Sequence, residues 1–319
     1  MADSRLEFGI TLGSIAKAAE MARHAEALGF HYVASGEHMM SRSPSAHALT
    51  LLGVAAGATQ RIRLLSSIVL LPLHNPVVLS KAATTLDVAS GGRLTLGVGV
   101  GGEFPGEFEA SGVAVQERGA RANEALTLLR RLWTEDTVNF DGRFFQLHDV
   151  TLRPAPVQRP HPPVWVGGRQ EAAMRRAVAF GDGWLPYLYS PERYSQSVDA
   201  IARLAWEAGR SLEGFTFALY IHTSIYADGE KAMRVAAANL GSRYVAGDFQ
   251  RLVGQYCLVG TPEHCVQRLQ EYVDAGARMV LFSWACHPED IPATLETIAR
   301  DVVPRITIPP VGAGQGSSS

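Results

Sequence analysis

Short apolar runs alternate with amphipathic helical patterns along nearly the whole chain. Between the runs, apolar residues recur every three or four positions, as on one face of a helix, for example over residues 15–28 and 122–133. Ser190 and Thr261, each followed by a proline and an acid, predict helix N-termini. The apolar runs have the length and composition of buried strands; they are Leu6–Leu12, His31–Ser35, Ile62–Leu70, Leu94–Val98, Pro163–Gly167, Gly183–Leu188, Thr216–Ile225 and Arg278–Trp284.

This alternation predicts an α/β protein with a parallel sheet, because parallel strands are joined by crossovers of about a dozen or more residues. Repeated strand–helix units within 319 residues favour a closed (β/α)8 TIM barrel over an open doubly wound sheet. We predict that the barrel spans residues 1–306, with an insertion at about 137–162 between its fourth helix and fifth strand. Residues 307–319 are predicted to form a disordered tail.

The overall composition disfavours several classes of protein. The chain is 47% hydrophobic and 19% charged, as soluble globular proteins are, and it lacks the run of roughly 18 apolar residues that a membrane helix requires. Its net charge of −2 gives no electrostatic reason to expect binding to nucleic acid or to an anionic membrane. The start of the chain lacks a secretory-signal pattern, and its cysteines do not suggest a disulfide framework, so we expect a cytoplasmic protein.

Two acids and a histidine follow predicted strands, at positions where barrel enzymes place functional side chains. Glu37 and His38 come directly after the second strand, and Glu103 follows the fourth strand beside Phe104. An imidazole exchanges protons near neutral pH, and a carboxylate beside apolar side chains can act as an acid or a base. The alternatives are a surface histidine that bonds to its neighbour and a solvated loop acid. The residues alone leave both interpretations open.

Small residues near the third and fourth strands predict a close approach of the backbone to a ligand. Ser66 and Ser67 are polar within an apolar strand, which indicates a bulge or a nearby ligand, or simply a hydroxyl bonded to the next strand. A dinucleotide-binding fingerprint is disfavoured, since no helix opens directly after the glycines that end the fourth strand. These glycines, which let a backbone pass close to a bulky ligand, are Gly97, Gly99, Gly101 and Gly102.

A second glycine-containing turn joins the fifth strand to a helix; its residues are Gly167, Gly168, Arg169 and Gln170. Amide N–H groups at a helix N-terminus, beside glycines and an arginine, form a natural seat for a phosphate group. The alternative is an ordinary strand-to-helix turn in which glycine serves the geometry. No spaced cluster of metal ligands, P-loop or nucleophile-elbow motif is present in the sequence, so no metal site is expected.

At these residues the chain resembles the luciferase-like monooxygenase superfamily, and most closely its branch that uses the 5-deazaflavin coenzyme F420. The resemblance spans most of residues 6–300, and it implies a (β/α)8 barrel with the cofactor ring across the strand ends. The matching segments are Gly36-Glu37-His38, RIRLLSSIVLLPLHNPVVLSKAATTLDVASGGRLTLGVGVG, RPHPPVWVGG, AFGDGWLP and LVGTPEHCVQRLQEYVDAGA. The implied catalytic residues are His38, Glu37 and Glu103. The implied cofactor-binding residues, near a non-prolyl cis peptide at Ser67–Ile68 and at the two glycine turns, are Ser67, Ile68, Gly99, Gly101, Gly102, Gly167, Gly168, Arg169 and Gln170.

The resemblance implies an F420-dependent oxidoreductase that transfers a hydride between the deazaflavin C5 carbon and a small organic substrate. His38 would donate or accept the substrate proton, Glu37 would orient it or bind the ring, and Glu103 would assist. Two alternatives stay open: an FMN-dependent two-component monooxygenase served by a separate reductase, and a flavin-binding protein without turnover. A homodimer is also expected from the resemblance. Gly106, where some F420 relatives carry asparagine, and a shorter loop after His38 leave the substrate open.

Overall fold

The computed structural model describes residues 6–40, 44–243 and 248–309. By its internal contacts the chain divides into two compact units, one of Gly9–Tyr187 and one of Met1–Phe8 together with Leu188–Ser319. From position 310 onward, the predicted tail lies outside the described residues. Among the helices that the structure describes, none has both the length and the apolar composition needed to cross a membrane.

Strands and helices alternate along the chain, as the hydrophobic pattern predicts. The strands are β1 (Glu7–Thr11), β2 (Tyr32–Ser35), β3 (Arg63–Ser66), β4 (Val69–Leu70), β5 (Leu94–Gly99), β6 (Val138–Asp141), β7 (Gln146–Val150), β8 (Val164–Gly167), β9 (Gly183–Leu185), β10 (Thr216–Ile225), β11 (Leu258–Gly260) and β12 (Met279–Trp284). The α-helices are α1 (Ala18–Ala27), α2 (Ala48–Ala58), α3 (Pro76–Ser90), α4 (Pro105–Ala110), α5 (Arg118–Thr134), α6 (Glu171–Phe180), α7 (Pro191–Glu207), α8 (Gly229–Arg243), α9 (Phe249–Tyr256), α10 (Pro262–Asp274) and α11 (Ile291–Thr297).

The Gly9–Tyr187 unit contains a parallel sheet in which β1, β2, β3, β5, β8 and β9 lie in that order, with β4 paired to the end of β5. Every residue of β2 and of β5 is buried. Strands covered on both faces lack the charged residues that mark a solvated face, and neither β2 nor β5 contains one. β6 and β7 form a separate antiparallel pair inside the segment interpreted as an insertion.

The third predicted strand, Ile62–Leu70, is divided into β3 and β4. The peptide bond between Ser67 and Ile68 is cis and non-prolyl, which confirms the expectation taken from the resemblance. The Ser66 hydroxyl donates a hydrogen bond to the Gly97 carbonyl at 2.8 Å. The Ser67 amide donates to the Ser35 carbonyl, also at 2.8 Å. Hydrogen bonds to β2 and β5 therefore hold this break from both sides.

The second unit contains β10 between β11 and β12, all parallel. At the start of β1, the Glu7 amide donates to the carbonyl of Arg278, just before β12. The helix N-termini predicted at Ser190 and Thr261 are confirmed, because both side chains accept a hydrogen bond from the third residue of their helix. A cluster of buried apolar residues packs α8 and α9 against β11; its members are Ala232, Ala236, Leu240, Val253, Cys257, Val259 and Ala285.

Candidate active site

The carboxyl ends of β2, β3, β5 and β8 lie side by side, because these parallel strands are neighbours in one sheet. His38 follows β2, Ser67 follows β3, Gly101 and Gly102 follow β5, and Gly168 follows β8. This edge of a parallel α/β sheet is where ligands and catalytic groups are usually found. The fold therefore brings the predicted segments to one edge of the Gly9–Tyr187 unit.

Two glycines allow β5 to run directly against the break between β3 and β4. A Cβ atom at Gly97 would overlap the carbonyl oxygen of Ser66, and one at Gly99 would overlap the side chain of Ile68. Because only glycine lacks this atom, both positions are explained by the packing of the strands alone. The contact of Gly99 with a cofactor stays a prediction.

Ser67, Gly101 and Gly102 have features that fit a flat cofactor ring. The Ser67 hydroxyl oxygen is buried and has no hydrogen-bond partner among the described residues. Burying a hydroxyl without a partner is unfavourable, so a ligand atom that bonds to it would remove that cost. Gly101 and Gly102 follow with φ angles of +61° and +115°. Positive φ angles favour glycine at both positions, and a Cβ atom would press against Leu70 at Gly101 and approach Arg118 at Gly102.

The predicted phosphate corner lies between β8 and α6. Gly168 has a φ angle of +137°, and its carbonyl oxygen accepts a hydrogen bond from the Trp184 indole at 3.0 Å. Gln170 occupies the N-cap position of α6 without a side-chain capping hydrogen bond. A helix N-terminus that no side chain caps has amide N–H groups directed at an incoming anion. The corner therefore fits a phosphate group, with Arg169 beside it.

Glu37 is buried, and both oxygens of its carboxylate form hydrogen bonds with other groups of the protein. One oxygen, Oε1, lies 2.6 Å from His74 Nε2 and accepts from the Leu70 amide at 3.1 Å. The other, Oε2, accepts from the Ala48 amide at 3.2 Å. Burial raises the pKa of Glu37, but the His74 hydrogen bond and charge and the two amide N–H groups outweigh it, so the pKa lies below its usual range.

The His47 side chain lies close to the Glu37–His74 pair. Nitrogen or oxygen atoms of Glu37, His47 and His74 all lie within 4.8 Å of one another, a grouping of metal-ligand type that the sequence pattern did not predict. His47 is also the N-cap of α2, and its Nδ1 atom accepts from the Thr50 amide at 3.4 Å. The imidazole rings of His47 and His74 meet edge to face, with centroids 5.8 Å apart. Hydrogen bonds and ring packing account for each member of the grouping.

The acid that contacts His38 is Glu107. Its Oε1 atom lies 2.9 Å from His38 Nδ1, and its Oε2 atom accepts from the Met39 amide at 2.7 Å. The Glu107 side chain is 2% exposed, whereas that of His38 is 33% exposed. The His38 amide donates to the Ser45 hydroxyl. The His38 imidazole packs edge to face against the Phe104 ring, with the two ring centroids 5.0 Å apart. His38 is thus fixed by the protein and open to solvent on one side.

Glu103 contacts an aromatic residue that follows β9. It is exposed, and one of its oxygens accepts a hydrogen bond from the Tyr187 hydroxyl. The guanidinium of Arg169 lies over the Tyr187 ring, 4.6 Å from its centroid. Tyr187 therefore links the predicted acid after β5 to the predicted phosphate corner after β8.

Sequence reasoning did not identify Glu107, His74 or His47. For Glu107 a signal was present, because Pro105 marks the first residue of a helix and places Glu107 in its first turn, where acids are favoured. For the histidines the sequence contains no such signal. Their contacts with Glu37 depend on how α2 and the segment before α3 return to the end of β2.

A family model described as luciferase-like monooxygenase matches residues 4–279. The F420-dependent glucose-6-phosphate dehydrogenase of Amycolatopsis mediterranei is 28% identical over 90% of this chain and 93% of its own length. The FMNH(2)-dependent dimethylsulfone monooxygenase of Pseudomonas putida is 27% identical over 90% of this chain and 86% of its own length. An uncharacterized protein of Mycobacterium tuberculosis is 33% identical over 56% of this chain, and the match spans 63% of that relative, less than two thirds.

Solved structures confirm the predicted fold class. The monooxygenase RslO1 from Streptomyces bottropensis superposes with a TM-score of 0.83 over 94% of this chain and 99% of its own, at 26% identity. An F420-dependent secondary alcohol dehydrogenase, solved with an F420-acetone adduct, gives a TM-score of 0.82 over 95% of this chain and 99% of its own, at 21% identity. The fold is a (β/α)8 TIM barrel of the luciferase-like type.

Proposed function

The chain belongs to the luciferase-like monooxygenase family, and from this premise we propose that it is an F420-dependent oxidoreductase acting on a small organic substrate. The observation that carries the proposal is the His38 imidazole, fixed 2.9 Å from the buried Glu107 and exposed on one side where the parallel strands end. Removing or adding a hydride at an oxygen-bearing carbon also requires a proton to leave or reach that oxygen. A positioned imidazole is the side chain best suited to exchange it near neutral pH.

The residues at the ends of β3, β5 and β8 would hold the cofactor. We assign the ring to the edge near Ser67, Ile68 and the glycine turn after β5, since the Ser67 hydroxyl is buried there without a partner. The phosphate corner at Gly167–Gln170, with Arg169, would bind the phosphate of the cofactor side chain. When bound, the deazaflavin would supply the carbon that accepts or releases the hydride. The protein's contribution is then orientation and control of the proton.

The three predicted catalytic residues receive different parts in this proposal. His38 would exchange the proton with the substrate. Glu37 would position the end of β2, because its carboxylate is already engaged with His74 and two backbone amides. Glu103, which is exposed and bonded to Tyr187, would assist from the rim of the site.

Apolar side chains beside His38 support a substrate with an apolar part. Met39 and Met40 directly follow His38 and are 42% and 53% exposed, and Phe104 packs edge to face against the imidazole. Large apolar side chains exposed next to a polar catalytic group are typical of small-molecule sites. We therefore expect a small alcohol or carbonyl compound with a hydrocarbon portion.

The main alternative is an FMN-dependent two-component monooxygenase, which a separate reductase would supply with reduced flavin. The similarity to the dimethylsulfone monooxygenase and to RslO1 favours it. A flavin-binding protein without turnover is the third candidate. From the same family resemblance we also propose a homodimer, which light scattering coupled to size-exclusion chromatography would test.

Titration with F420 and with FMN separates these candidates. Trp184 is buried beside the phosphate corner and hydrogen-bonded to Gly168, so its fluorescence should report binding there. The proposal expects saturable binding of F420, no binding of FMN, and oxidation or reduction of F420 with at least one member of a panel of small alcohols and carbonyls. Binding of FMN alone would overturn it in favour of the monooxygenase. Binding without turnover across the panel would favour the third candidate.

A further inference from the structure

We propose that Glu107 is the positioning residue that sets the tautomer of His38, so that Nδ1 carries the proton and Nε2 presents a lone pair to the substrate. The structural part of this inference needs no cofactor; its catalytic consequence rests on the proposed function. The family resemblance implies catalytic roles for Glu37, His38 and Glu103, and none for Glu107.

Glu107 holds two consecutive residues at once. Its carboxylate is buried at 2% exposure on α4, with Oε1 at 2.9 Å from His38 Nδ1 and Oε2 accepting from the Met39 amide at 2.7 Å. The two contacts fix both oxygens, so the carboxylate cannot rotate without losing one of them. A buried carboxylate with both oxygens bonded is a rigid reference point for the imidazole.

The chemistry of the two groups decides where the proton lies. An ionised carboxylate only accepts hydrogen bonds, so the nitrogen that faces it must be the donor. In a neutral imidazole, a protonated Nδ1 leaves Nε2 as the acceptor. The contact of Nδ1 with Glu107 therefore makes Nε2 the basic atom, on a side chain that is one third exposed.

This arrangement defines the proton transfer. In the oxidative direction, Nε2 takes the proton of a substrate hydroxyl: the O–H bond breaks, an N–H bond forms, and the electron pair stays on the oxygen to become part of the carbonyl. The cofactor of the proposed function would supply the acceptor for the hydride that leaves the carbon. The imidazolium that results has a proton on each nitrogen, and the adjacent Glu107 carboxylate stabilises its charge. In the reductive direction, the same proton returns from Nε2 to the oxygen.

The other two acids of the site have different hydrogen-bond partners, so the role of positioning His38 falls to Glu107. Glu37 bonds to His74 Nε2 and to two backbone amides. Glu103 is exposed, and its carboxylate accepts from the Tyr187 hydroxyl. Glu107 is the acid whose contact with His38 the structure shows.

Glu107→Gln tests the assignment because its outcome is directional. The Met39 amide can only donate, so it requires the carbonyl oxygen of the new glutamine on its side. The glutamine NH₂ group then faces His38 Nδ1, which must become the acceptor, and the proton moves to Nε2. Glu107→Asp keeps an acceptor-only group and should keep the original tautomer. Glu109→Gln, at an exposed position on the same helix, is the matched control.

The measurement is the pair of histidine side-chain 15N shifts in protein labelled at histidine, with the His38 signals identified by their loss in His38→Asn. We expect protonated Nδ1 in the wild type, in Glu107→Asp and in Glu109→Gln, and protonated Nε2 in Glu107→Gln. Turnover in Glu107→Gln should fall by about 10²- to 10⁴-fold in kcat, the usual contribution of a positioned acid or base. Its cofactor Kd should stay within a few-fold of the wild type.

A wild-type His38 protonated at Nε2 would overturn the proposal, and so would a folded Glu107→Gln variant with full kcat. Since the wild-type spectrum alone decides the tautomer, a Glu107→Gln variant that fails to fold does not remove the test. The spectra are recorded without cofactor. A failure of the proposed function would instead appear in the F420 titration, whatever the tautomer proves to be.

Discussion

Glu37 and His38 are adjacent in sequence, yet each pairs with a residue of the opposite kind from a different part of the chain. Glu37 contacts the imidazole of His74, and His38 contacts the carboxylate of Glu107. The two residues differ in burial, which indicates different roles. The Glu37 side chain is 1% exposed and that of His38 is 33% exposed. The buried acid anchors the end of β2, and the half-exposed histidine remains able to meet a substrate.

The buried Glu37 carboxylate should make the free energy of unfolding depend on pH. Because hydrogen bonds lower the pKa of folded Glu37 below that of the unfolded chain, its stabilisation is complete above the unfolded value, near 4.3. It is lost as the pH falls through the folded pKa. We expect Glu37→Gln to lower the free energy of unfolding by about 1.5–3 kcal/mol at pH 7, and the difference from wild type to shrink as the pH falls below about 4.3.

Urea denaturation at a series of pH values measures this difference. Glu109→Gln removes an exposed carboxylate and is the control for general changes in charge. A wild-type minus Glu37→Gln difference that stays constant down to pH 3 would show that the carboxylate charge of Glu37 does not contribute.

Ser66 and Ser67 are neighbours with opposite requirements. The Ser66 hydroxyl donates to the Gly97 carbonyl, whereas the Ser67 hydroxyl is buried with no partner among the described residues. Ser66→Ala should therefore lower the free energy of unfolding by about 1 kcal/mol, and Ser67→Ala should leave it unchanged or raise it. If Ser67 bonds to the cofactor, Ser67→Ala should weaken cofactor binding several-fold. Equal cofactor Kd values for the wild type and Ser67→Ala would remove Ser67 from the binding site.

Position in sequence predicted Glu37, His38 and Glu103 as candidates, but it could not predict their partners. The His38 contact with Glu107 joins residues 69 positions apart, and the Glu37 contact with His74 joins residues 37 apart. Such pairs depend on where α4 and the segment before α3 end in three dimensions. The sequence favoured Glu103 because it comes first after the strand, while the helix that begins at Pro105 directs the second acid, Glu107, toward His38.

At the scale of elements, the approach of β5 to the break between β3 and β4 depends on Gly97. Gly97→Ala would place a Cβ atom on the Ser66 carbonyl, so the strands would have to separate. We expect a loss of more than about 3 kcal/mol in the free energy of unfolding, as for severe overpacking. Gly106→Ala is the matched control, since its Cβ would meet open space on α4 and should stabilise by about 0.5–1 kcal/mol. Similar denaturant midpoints for the two variants would contradict the proposed packing.

Element boundaries were predictable where local chemistry marks them. Ser190 and Thr261 cap α7 and α10 as predicted, because the hydroxyl, proline and acid act within one helical turn. Some short strands were not resolved from the sequence. β11 has three residues, too few to show a period. The segment predicted as an insertion contains two strands, β6 and β7, that pair with each other.

At the scale of the whole molecule, the order of apolar runs was enough to predict the barrel. Continuous burial of β2, β5 and β12 leaves a signal that survives without knowledge of any contact. The sequence contains no comparable signal for the identity of the cofactor, since the glycines at positions 97 and 99 are explained by strand packing alone. Every predicted catalytic and cofactor-binding residue lies within Gly9–Tyr187. The location of cofactor binding is therefore a prediction that can be tested separately from turnover.

Hydrogen exchange followed by mass spectrometry, with and without F420, performs that test. A bound cofactor should slow exchange of the amides near residues 67–70, 99–103 and 167–173, because these segments end neighbouring strands at one edge of the sheet. At a ligand concentration of 100 times Kd, binding should also stabilise the protein by about 2.7 kcal/mol. Peptides from β6 and β7, which form a separate sheet, are the internal control. Protection of that hairpin without protection of the three strand ends would move the binding site away from His38 and Glu107.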